Sequence, residues 1–215
     1  MSGSGVEGAL SDIEEVVREA DERLKKVDSA REEAAKISRD VIKSSGYSIT
    51  YLHKGDLEKS LEALNQCESR ARRLVEVASP YPELMHSGLV YNALSEYVEA
   101  KVLFSMVTER RVPPFTELGV HPVPYLQGLA DVVGELRRRA LDYIAKGNLD
   151  EARRSLSLME AIYSALRGLD YPDAVLPNVR HKVDVARALV DSTKAMLVDI
   201  ESRERLMKVL FQRSS

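Results

Sequence analysis

LSDIEEVVREADERLKKVDSAREEAAKISRDVIKSSGYSITYLH, residues 10–53, decides the fold class of this chain. The stretch holds no proline, and its apolar residues recur at helical intervals. Ile13, Val16, Val17, Ala20, Leu24 and Val27 are followed by Ala34, Ile37, Val41, Ile49 and Leu52. Spacing of three and four marks one face of a helix rather than the alternation of a strand. Gly46 costs such a helix about 1 kcal/mol against alanine and does not end it. A run of this length without internal caps predicts a long helix in an extended bundle or an assembly.

Working outward, Gly55-Asp56 reads as a C-terminal glycine followed by an N-cap, a tight turn between helices. A second helix is predicted from Leu57 to about Ala78, stopped by Ser79-Pro80-Tyr81-Pro82. A third covers roughly Glu83 to Glu109, and Arg111 to Pro124, with four prolines and a glycine, is the clear central loop. The fourth runs from Tyr125 to Ala145, the fifth from Leu149 to Leu169, and the last from Asn178 to about Phe211. No repeat at a fixed period and no strand-like alternation interrupts this pattern. The expectation is an all-α fold: a single-domain antiparallel bundle of six or seven helices over residues 10–212, after a flexible N-terminus at 1–9.

Composition sets limits on function. In 215 residues the net charge is only -3, so any nucleic-acid surface must be a local basic patch. Cys67 is the single cysteine, which rules out an intrachain disulfide and a cysteine-based metal knuckle. The opening MSGSGVEGAL has neither the basic start nor the apolar run of a signal peptide, and no stretch has the apolar length of a membrane span. These features predict a cytoplasmic protein with no membrane association.

Chemistry is concentrated in two pairs of carboxylates. Glu96 and Glu99 lie in LSEYVEAKVLF, and Asp131 and Glu135 in YLQGLADVVGELRR. Each pair has i,i+3 or i,i+4 spacing, so its side chains leave the same helix face one turn apart. If the two helices pack together, the four carboxylates converge and need a counter-charge. Glu96 and Glu99 share a stripe with Leu89, Ala100, Leu103, Met106 and Val107 on a helix apolar nearly all round, which predicts burial. Asp131 and Glu135 lie with Gln127, Gly128 and Arg138 opposite the core face of Leu129, Val132, Val133 and Leu136, the pattern of a solvated face. Gly128 and Gly134 flank the second pair, and glycines inside a helix are costly unless another backbone or a ligand comes close. Spacing alone leaves two readings open, a divalent-metal site and carboxylates ion-paired to arginines such as Arg137, Arg138 and Arg139. His53, His86, His121 and His181 show no metal-ligand spacing, and no glycine-rich phosphate loop or nucleophile elbow occurs.

These same residues resemble the translin family, and most of all its catalytic branch, translin-associated factor X. Leu94–Ala100, LSEYVEA, is similar to that branch's EYVEA stretch, and Tyr125–Arg138 to its YLLGxADLTGELxR motif. SRDV at Ser38–Val41, LHK at Leu52–Lys54, the turn at Gly147-Asn148 and a last helix with Lys182 extend the likeness across residues 30–200. The resemblance implies a seven-helix bundle assembling into a hollow homo-octamer around nucleic acid. It also implies an endoribonuclease dependent on Mg²⁺ or Mn²⁺, acting on single-stranded or nicked small RNA. The catalytic and metal-holding residues it implies are Glu96, Glu99, Asp131 and Glu135. RNA, single-stranded or as a small duplex, is the implied partner, with single-stranded DNA as a further candidate. The rival expectation is a non-catalytic oligomeric scaffold that binds single-stranded RNA or DNA.

Overall fold

The computed structural model describes residues 4–213. Its long helices are α1 (Ser4–Lys54), α2 (Leu57–Ala78), α4 (Gly88–Thr108), α6 (Pro122–Ala145), α7 (Leu149–Leu166) and α8 (Val179–Arg213). Single helical turns, α3 (Pro82–Met85) and α5 (Phe115–Leu118), sit between them. There is no strand among the described residues, and the fold is all-α as the periodicity predicts.

Local chemistry explains where the helices start and stop. Gly55 (φ 80°) and Gly147 (φ 73°) adopt left-handed backbone that other residues reach only under strain. Each is followed by an N-cap: Asp56 accepts from the Lys59 amide and Asn148 from the Glu151 amide. The turns make antiparallel hairpins of α1 with α2 and of α6 with α7. The expected third helix is divided, because Ser87 takes up extended backbone and accepts from the Val90 amide, ending α3 and opening α4. The helix carrying Asp131 begins at Pro122 rather than Tyr125, since proline in a first turn gives up an amide that would be unpaired anyway. α1 begins at Ser4, so the described part of the expected flexible N-terminus is helical, while residues 1–3 lie outside the described residues.

α4 packs against α1, α2 and α6, and α6 against α4, α7 and α8. These two central helices join the hairpins, and Leu94, Val98, Leu103, Val132 and Leu136 between them are almost wholly buried. Burial of this order is worth about 1.5–3 kcal/mol per large side chain. α1 behaves differently along its length. From Ala34 onward its apolar face is in the core, whereas Leu10, Ile13, Val16, Val17 and Leu24 are all more than half exposed (56–65%).

Candidate active site between the two central helices

Gly128 sets the distance between α4 and α6. A Cβ at this position would stand 2.3 Å from the Ser95 carbonyl oxygen and 2.8 Å from Val98 Cβ, so only glycine lets the backbones approach this closely. Gly134 faces open space, and nothing in the structure requires glycine there. Glu96 and Glu99 follow one and four residues after Ser95, while Asp131 and Glu135 follow three and seven after Gly128. The close crossing thereby brings both pairs to one place.

The four carboxyl groups have different surroundings. Glu96 Oε2 accepts from Ser45 Oγ of α1 at 3.4 Å, and burial, reinforced by Asp131, raises its carboxyl above the ordinary range. Asp131 Oδ1 accepts from Lys182 Nζ of α8 at 2.6 Å, and the ammonium also touches Oδ2. Burial outweighs this contact, so the Asp131 carboxyl is raised as well. Glu135 Oε2 accepts from His53 Nε2 of α1 at 2.5 Å, which holds Glu135 below the usual range. Glu99 has no hydrogen bond or ion pair with a described residue. Burial, with the charges of Asp131, Glu96 and Glu135 added, pushes it up to about 8. Burial therefore favours the protonated Glu99 carboxyl at neutral pH.

The expected solvated face of Asp131 and Glu135 is corrected by the structure. Gln127 is 4% exposed, and the side chains of Asp131 and Glu135 are only 30% and 23% exposed. α4 and α8 pack against α6, and His53 of α1 and Lys182 of α8 reach over that side, a coverage its own sequence pattern does not record. The arginine reading is weak: Arg138 stands 3.9 Å from Glu135, Arg139 turns to Tyr143, and Arg137 Nε is buried without a partner. Sequence spacing missed His53, Ser45 and Lys182 as members of the cluster. They lie 82, 51 and 51 positions from their partners, and only the motif resemblance points to LHK and Lys182. His53 Nδ1 is buried and has no hydrogen-bond partner.

The donor set suits a hard divalent cation, which takes oxygen ligands from carboxylates and keeps some of its waters. The excess of carboxylates over Lys182 and the partnerless Glu99 fit such an ion. As the side chains stand, no three His, Cys, Asp or Glu among the described residues are gathered tightly enough to hold one. Lys182 and His53 occupy Asp131 and Glu135 instead.

Fold and site define a class: a helical bundle whose two central helices face each other across an acidic, half-buried cluster. The translin family model matches residues 29–204, and the chain belongs to the translin family. An uncharacterized protein of Methanocaldococcus jannaschii is 33% identical over 188 residues, covering 85% of this chain and 83% of the relative. Translin-associated protein X of Rattus norvegicus is 27% identical over 172 residues, covering 61% of this chain and 59% of the rat protein, less than two thirds of its length. A solved structure described as an AfC3PO–duplex RNA complex superposes with a TM-score of 0.79 at 31% identity. That match covers 87% of this chain and 97% of the other.

Proposed function

We propose that this chain is a metal-dependent endoribonuclease that cleaves single-stranded or nicked small RNA within a homo-oligomeric shell, with an octamer as the expected assembly. The observation that carries the proposal is that Glu99, without a hydrogen bond or ion pair, lies near enough to Asp131, Glu96 and Glu135 for their charges to add to its burial and push it up to about 8. The likeness to the AfC3PO–duplex RNA complex supports RNA as the ligand, with single-stranded DNA as a further candidate. The apolar stripe from Leu10 to Leu24, exposed on a single chain, supports self-assembly. No helix of the described residues is long and apolar enough to cross a membrane, and a cytoplasmic location is part of this reading.

Glu96, Glu99 and Asp131 would hold Mg²⁺ or Mn²⁺, with Glu135 as a further ligand or as the group that orients water. A bound ion of this kind supplies charge stabilisation at the phosphoryl oxygen and a water of lowered pKa. Around it the chain has its own tasks. Glu135, kept ionised by His53, would be able to accept a hydrogen bond from a water and orient it. Lys182, paired with Asp131 in the structure, would offset charge at the cleaved phosphate once an ion displaced it from the carboxylate.

End-labelled single-stranded RNA incubated with the protein in Mn²⁺ or Mg²⁺, beside an EDTA lane, tests the proposal. Cleavage lost in EDTA and in Glu99→Gln supports it; uncut RNA in every lane sinks it. The pairing of Asp131 with Lys182 and of Glu135 with His53 favours a second reading, in which these groups brace the helices of a non-catalytic RNA- or DNA-binding scaffold. That reading predicts binding that survives chelation and yields no product.

A further inference from the structure

The acidic stripe of α6 does not end at Glu135. Continuing at helical spacing from Asp131 and Glu135, the same face presents Arg139, Asp142, Tyr143 and Lys146. Arg139 and Lys146 meet Lys54, the last residue of α1, around a recess of about 190 Å³ that is also lined by His53, Asp142 and Tyr143. His53 therefore belongs to both places, lining the recess on one side and holding Glu135 at 2.5 Å on the other. Arg139 and Tyr143 also line a neighbouring recess of about 600 Å³, to which Arg110 contributes.

Charge makes this arrangement informative. Some bases elsewhere on the surface are taken up by acids, Arg72 by Glu68, Arg73 by Glu33 and Glu76, Lys194 by Glu160, and others, such as Lys36 and Arg39, form no ion pair with a described residue. Lys54, Arg139, Lys146 and Arg110 form no ion pair with a described residue. Three of them share the smaller recess with one carboxylate, Asp142, leaving an uncompensated positive charge beside the acidic cluster. Lys54 and Lys146 also lie at helix C-terminal ends, where a cation offsets the helix dipole. That effect fades within the last turn and does not account for Arg139, which lies well inside α6. The Arg139 guanidinium is held by a 3.0 Å hydrogen bond to Tyr143 Oη and packs over its ring.

We propose that Lys54, Arg139 and Lys146, continued by Arg110, form a phosphate track that holds the sugar-phosphate backbone of the RNA strand next to the carboxylate cluster. The track rests on the nucleic-acid reading above and names the residues that contact the strand. It positions rather than specifies, because phosphate contacts carry no base information. Single-stranded DNA follows the same track.

The test is binding of a fluorescently labelled single-stranded RNA to the full chain in EDTA, titrated against salt. In Lys54→Ala/Arg139→Ala/Lys146→Ala the slope of log K against log salt becomes shallower by about 0.7 per lost phosphate contact, about 2 in all. The control Lys25→Ala/Arg73→Ala/Lys194→Ala, which removes bases paired with acids, keeps the wild-type slope. A track variant that parallels wild type, or falls no further than the control, overturns the proposal. Should circular dichroism show the triple variant misfolded, the exposed Lys146→Glu takes its place. It must weaken binding more than Lys194→Glu, and equal binding overturns the track. Wild-type protein that fails to bind RNA overturns the track and the ribonuclease reading together. A wild type that binds with the track-dependent slope, yet leaves RNA uncut in Mn²⁺, upholds the track and refutes only the nuclease.

Discussion

Glu99→Gln separates a metal-seeking carboxylate from an architectural one through its effect on stability against pH. The ordinary carboxyl value is 4.5 and burial pushes Glu99 up to about 8. Between those values the folded chain keeps a proton that the unfolded chain has released. Stability from this group is fully present below the ordinary value and is lost as pH rises through the folded one. The whole window corresponds to about 5 kcal/mol at about 1.4 kcal/mol per pH unit. Glu96 and Asp131, also raised, add losses of the same sign, while Glu135, held low, acts only in more acidic solution. The amide introduced by Glu99→Gln mimics the protonated carboxyl and has nothing to release. Urea unfolding in EDTA at equal protein concentration, from pH 5 to pH 9, should show wild type losing stability steadily while the variant loses much less. The two should be close at pH 5, and the variant more stable by up to about 5 kcal/mol at pH 9. Mn²⁺ added at pH 8 should restore wild type and leave the variant unmoved. Parallel curves for the two proteins would refute the buried, partnerless carboxyl and the metal argument built on it.

Three further outcomes follow from the same geometry. Gly128→Ala forces a Cβ to 2.3 Å from the Ser95 carbonyl, which cannot yield without moving α4. It should cost about 1–3 kcal/mol in denaturant unfolding, whereas Gly134→Ala, in open space, should gain about 0.5–1 kcal/mol. Lys182→Met strips Asp131 of its ammonium and should destabilise the metal-free protein by about 1–3 kcal/mol at pH 8. An unchanged urea midpoint would show that the pair carries nothing. Titration with Mn²⁺ should raise the calorimetric midpoint, by the equivalent of about 2.7 kcal/mol at a hundredfold excess over Kd. Asp131→Asn should abolish that rise.

The fold was legible because its signals are local. Periodicity over residues 10–53, the turns at Gly55-Asp56 and Gly147-Asn148, and the proline-rich loop each act through the nearest few residues. The boundaries that shifted depended on a single cap, as at Ser87, or on proline tolerated in a first turn, as at Pro122. The site was half legible. Spacing placed each carboxylate pair on one face of its helix, and the cost of glycine in a helix pointed to Gly128.

What the chain alone could not express was which helices cover which faces. By sequence Asp131 and Glu135 lie on a polar stripe, and only the packing of α4 and α8, with His53 reaching in from α1, half-buries that stripe. His53 and Lys182 carry no spacing signal because they reach the cluster from other helices, 82 and 51 residues away. The number and helical phase of the carboxylates were determined by the sequence, through backbone geometry that repeats every turn. Their protonation, their partners and the base-lined recess beside them were decided only by tertiary packing, because desolvation and Coulomb forces depend on distance in space.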